Sequence, residues 1–71
     1  MINLTVASQV KQTIASLKGT KATLDAFYQV EQNEENKHSL EQSSQQISRV
    51  IDRLENRVKV LEYEEPQYKG F

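Results

Sequence analysis

The sequence predicts an all-α protein: an antiparallel two-helix hairpin that dimerises into a four-helix bundle and carries an extended C-terminal tail. Three observations predict it. Two apolar stripes recur at helical spacing, a short polar segment between them has capping chemistry, and 71 residues are too few to enclose a self-sufficient core. Chains this short usually need a staple. With no cysteine, neither a disulfide nor a thiolate zinc site can supply one, so the expected staple is a second copy of the chain or another protein.

The first stripe is Val6, Val10, Ile14, Leu17, Leu24, Phe27 and Tyr28, at the spacings that line one face of an α-helix. Ala7, Ala15, Ala22 and Ala26 add helix propensity. Thr5 is the expected N-cap, since its hydroxyl can accept from a first-turn amide, and the helix is expected over about residues 6–31. Gly19 falls inside it, at a cost of about 1 kcal/mol relative to alanine, which points to close packing or to nothing at all.

The turn is expected at about residues 32–33. Asn33 can cap the second helix, and Glu34 and Glu35 put negative charge in its first turn, where the helix dipole favours it. No glycine or proline forces the break, so one continuous helix is the alternative.

The second helix is expected over about residues 34–63, with Leu40, Ile47, Val50, Ile51, Leu54, Val58 and Leu61 as its stripe. Pro66 disfavours helix at the residue before it, so residues 64–71 form the non-helical tail. In an antiparallel hairpin, residues whose numbers sum to about 65 lie side by side. That register sets Ile14 and Leu17 beside Ile47 and Ile51, Val10 beside Leu54 and Val58, and Ala22 opposite Ser43 and Ser44.

Two helices touch along a line, whereas each stripe spans an arc of about 100° or more. A lone hairpin therefore leaves apolar surface wet, which normally marks an interface. The residues expected to carry self-association are Val10, Ile14, Leu17, Leu24, Leu40, Ile47, Ile51, Leu54 and Val58.

Composition excludes several function classes. Nine basic and ten acidic side chains nearly cancel, which removes the field a nonspecific nucleic-acid binder would use. No apolar run exceeds three residues, so no membrane-inserted segment or secretory leader is expected and the default location is cytoplasmic. No catalytic constellation is legible, and the chain is read as a non-enzyme with no cofactor.

Two groups of side chains still invite a chemical reading. Glu35 and His38 have the E-x-x-H spacing of di-iron bundles, which gives a metal- or small-ligand-binding bundle as an alternative function; only Glu31 on the first helix could assist them. Arg49, Arg53 and Arg57 recur every fourth residue, forming a ladder for phosphates, lipid headgroups or an acidic helix. The bland reading is a solvated flank, with Asp52 near Arg49 and Glu55 four residues before Lys59. A peripheral binder of anionic membranes is a further alternative, although neither helix combines a lysine-rich face with inserting aromatics. In the tail, Tyr68 and Phe71 either cap the open end of the bundle or dock to a partner.

The stretches "TVASQVKQTIASLKGTKATLDAF" and "LEYEEPQYKGF" resemble a small domain-of-unknown-function family of endospore-forming bacteria, over nearly the whole chain. Members of that family are encoded with stage V sporulation A channel genes and YetF-like membrane proteins. The resemblance implies a module at the cytoplasmic face of the spore inner membrane, with a membrane-protein partner and a role in spore resistance or germination. It carries no catalytic residues.

Overall fold

Two helices account for the described structure. In the computed structural model, backbone is described for residues 2–64 and side chains for residues 6–63. Helix α1 spans Ile2–Val30 and α2 spans Glu34–Glu64, folded back on each other into a hairpin about 49 Å long and 15 by 14 Å across. Among the described residues there is no strand and no residue with positive φ.

The reversal at residues 31–33 rests on side-chain chemistry. The last α1 hydrogen bond runs from the Glu31 amide to the Phe27 carbonyl at 2.9 Å, and the first of α2 from the Lys37 amide to the Asn33 carbonyl at 2.9 Å. Asn33 caps α2 as its sequence position suggested: its Oδ1 accepts from the Asn36 amide at 2.9 Å. The Glu31 carboxylate folds over the same turn and accepts from the Asn33 amide at 3.2 Å. A turn without glycine or proline is thus closed by one asparagine and one glutamate, and the continuous helix is not formed.

The start of α1 corrects the sequence reading. Thr5 is not the N-cap, because the helix already runs from Ile2. Nothing in residues 2–5 opposes helix, as that stretch holds neither proline nor glycine.

The core is small. Ile14, Ile51 and Val58 are buried, with Val10, Leu17, Ile47 and Leu54 half-buried against them, as the stripes predicted. Leu24, Leu40 and Leu61 are also half-buried, while Phe27 is 56% exposed and Val6 and Val50 about 40% exposed. Those last three are the wet part of the stripes that a lone hairpin was expected to leave: a helix pair contacts along a line, and residues at the margin of a wide stripe stay exposed. Ala7, which the sequence suggested only as a helix former, is fully buried. It lies seven residues before Ile14 and so shares its face.

The expected mid-hairpin meeting of small residues is not found. Ala22 and Ser43 are exposed, and Ser44 alone turns inward, to Asp25. Ala22 is eight residues past Ile14, which at 3.6 residues per turn puts it about 80° off the core line. Gly19 is also exposed, and a methyl group added there would meet nothing within 4 Å, so no close approach explains it.

Two outcomes follow for thermal melts monitored by circular dichroism. Gly19→Ala should stabilise the hairpin, by up to about 1 kcal/mol, since it lowers the backbone cost of helix without a clash. Asn33→Ala should destabilise it by about 1 kcal/mol, because the Asn36 amide loses its acceptor.

Candidate functional site

The two edges of the hairpin differ in chemistry. Lys11 meets Glu62 at 2.9 Å and Lys18 meets Glu55 at 3.1 Å. Ser44 Oγ donates to Asp25 Oδ1 at 2.7 Å, and Lys37 Nζ sits 4.9 Å above the centre of the Tyr28 ring. Lys11, Lys18 and Asp25 are seven residues apart on α1, as Glu55 and Glu62 are on α2. Seven residues are nearly two helical turns, so these groups fall in a row along one edge.

Each ion pair is partly exposed and contributes on the order of 0–1 kcal/mol; the row as a whole fixes which turn lies beside which. The residue numbers of these pairs sum to 69 for Asp25 with Ser44 and to 73 for the two ion pairs, above the sum of 65 expected for backbones side by side. The difference has a simple cause. Side chains lean toward the N-terminus of their own helix, and in an antiparallel pair the two leans are opposed, so long side chains meet partners further along. By the same lean Glu55, which lies four residues before Lys59 on its own helix, reaches across the hairpin to Lys18.

Ser44 is the only buried polar residue among the described ones, and its partner titrates. The Asp25 carboxyl is held below its ordinary value of 3.8, first by the Ser44 hydrogen bond and then by the hydrogen bond and charge of Lys21, with desolvation working the other way. Lys21 Nζ lies 2.9 Å from Asp25 Oδ2, one turn back on α1. Sequence reading missed this cluster: Asp25 lies off the apolar stripe, and only the lean of the side chains brings Ser44 to it.

The opposite edge is apolar. A groove of about 280 Å³ there is lined by Val6, Gln9, Val10, Thr13 and Leu54. Among the described residues the cross-hairpin polar contacts keep to the other edge, leaving this one to packing. The larger depression beside Lys11, Glu55 and Lys59, about 720 Å³, is open to solvent, and Lys11 and Glu55 of its lining are already engaged in cross-hairpin ion pairs.

The residues singled out for partners fall as follows. Arg49, Arg53 and Arg57 are all exposed on α2, and none forms an ion pair with another described residue. Glu35 and His38 are exposed on the first turns of α2, while Glu31 is engaged with the turn. Among the described residues no group of three or more histidine, aspartate or glutamate side chains could hold a metal ion. Tyr68 and Phe71, with the rest of the tail after Glu64, lie outside the described residues.

A family model described as a protein of unknown function, DUF1657, matches residues 10–58. The chain belongs to the DUF1657 family. The matched span of this DUF1657 chain runs from Val10 to Val58, and so takes in the buried Ile14, Ile51 and Val58, the capped turn, the Asp25 and Ser44 contact and the arginine ladder. No curated protein and no solved structure matches it. No helix among the described residues is long and apolar enough to cross a membrane.

The sign of the Asp25 shift predicts a pH dependence. A folded-state pKa lowered from 3.8 adds stability that is present above the ordinary carboxylate range and lost as pH falls through the lowered value. Ser44→Ala should therefore lower the melting temperature at pH 7, and its deficit against the parent protein should shrink in melts below pH 4.

Proposed function

We propose that this DUF1657 protein is a non-enzymatic helical interaction module that self-associates into a four-helix bundle. By its resemblance to proteins encoded with spore membrane channels, it would serve in the cytoplasm, at the inner face of the spore inner membrane, as an accessory of a membrane-protein partner in spore resistance or germination. The observation that carries the reading is the poverty of the hairpin's own core. Only Ala7, Ile14, Ile51 and Val58 are buried apolar side chains, and no large side chain is fully buried among the described residues.

Burying one such side chain gains about 1.5–3 kcal/mol, whereas ordering each residue costs about 1–2 kcal/mol of backbone entropy alone. A hairpin with so few buried positions needs more apolar contact than it makes with itself. The half-buried residues supply it: Val10, Leu17, Leu24, Leu40, Ile47 and Leu54 each retain surface for a neighbour. Self-association uses that surface, and the exposed arginines and the tail with Tyr68 and Phe71 remain the surfaces for a foreign partner.

Sedimentation equilibrium over a hundredfold concentration range tests the first half of this reading, and a dimer is the expected result. A helical monomer throughout would remove it. Co-purification with a YetF-like membrane protein tests the second half. Capture should weaken when Arg49, Arg53 and Arg57 are replaced together and residues 66–71 are deleted; undiminished capture would dismiss both surfaces.

A further inference from the structure

The charges of the hairpin are divided by position along its length. The half nearer the turn, residues 19–46, holds two lysines against five carboxylates, a net of −3. The other half, residues 6–18 with 47–63, holds six cations against three carboxylates, a net of +3. Each hairpin is thus a rod with opposite charge at its two ends, and its latched edge already uses its ionic groups internally.

We infer that two copies pack through their open apolar edges with their turns at opposite ends, about a two-fold axis crossing the hairpin at mid-length. This rests on the self-association proposed above and specifies its geometry. Three features select it over other occupants and orientations.

Area is the first. Each partner in a standard stable interface contributes about 800 Å². A face 49 Å long and 15 Å wide offers roughly 700 Å².

Chemistry is the second. On α1 the open edge presents Val6, Gln9, Thr13 and Phe27 without a charged residue, so a second α1 can lie against it without desolvating an ion.

Charge complementarity is the third, and it decides orientation. With turns at opposite ends, α2 runs antiparallel to α2 of the second copy, and the −3 half of each lies against the +3 half of the other. With turns at the same end, like-charged halves would be stacked instead. The arrangement is isologous, as a two-fold dimer requires.

The chain has no cysteine, so a single Gln32→Cys in the exposed turn can be spin-labelled without ambiguity. In the dimer, pulsed electron paramagnetic resonance should report about 45 Å between labels, close to the hairpin length of 49 Å. A distance under about 20 Å would mean turns at the same end and overturn the inference while leaving self-association intact. A monomer in sedimentation would remove both.

A charge exchange gives the second readout. The double change Arg53→Glu with Arg57→Glu turns the +3 half to −1, and Glu34→Lys with Glu35→Lys turns the −3 half to +1. Arg53→Glu with Arg57→Glu should weaken the dimer at least about tenfold, with helicity checked by circular dichroism. Mixing that variant with the Glu34→Lys, Glu35→Lys variant should restore association as a heterodimer. No weakening, or no rescue on mixing, would overturn the assignment of orientation to these charges.

Discussion

Two α-helices can touch only along a line, and the rest of this protein is arranged around that limit. Each helix presents an apolar stripe wider than the contact, so the seam buries Ile14, Ile51 and Val58 and leaves Val10, Leu17, Ile47 and Leu54 half in water. A third layer would complete the enclosure, and the two helices, of 29 and 31 residues, do not themselves supply one. The incomplete core is therefore a geometric consequence of the architecture, and every surface feature takes its meaning from what must cover it.

Weak contacts do a different job here from the apolar seam. Isolated surface ion pairs add little stability. Spaced by sevens along one edge, Lys11, Lys18 and Asp25 select a single register, because sliding α2 by one turn would break all their contacts together. Leucine and isoleucine side chains tolerate such a slide far better than paired charges do. Specificity of register thus resides on the polar edge, and the other edge is left to apolar packing. Both helices serve this division, since the same lean that lets Lys18 reach Glu55 lets Ser44 reach Asp25.

Much of this was legible in the residues. The Asn33 cap, the acidic first turn of α2 and both stripes are local signals, and local signals survive folding unchanged. Thr5 failed as a cap because nothing in residues 2–5 opposes helix, so α1 runs past it to Ile2. Ala7 escaped notice because a lone methyl contributes little to an apolar pattern even when fully buried. The Asp25 and Ser44 pair escaped because backbone register says where Cα atoms lie, whereas contacts form at side-chain tips. Gly19 left a crowded neighbour or no packing role open, and its surroundings are open, so the crowded neighbour is the reading that fails. The arginine ladder was visible by spacing, but its role depends on what lies opposite, which no single chain displays.

The threonines of α1 change what its outer surface is. Thr13, Thr20 and Thr23 each donate the side-chain hydroxyl to the carbonyl four residues earlier, at 3.0, 3.1 and 3.2 Å. A hydroxyl satisfied in this way has no proton left for a neighbour or for water, though its oxygen still accepts, so such a threonine offers its surroundings a methyl group and an acceptor but no donor. The mean hydropathy of −0.71 counts these side chains as water-loving. To anything approaching α1 they are methyls beside acceptors, and a helix whose letters read as donors has, at its surface, fewer protons to give than its alphabet promises.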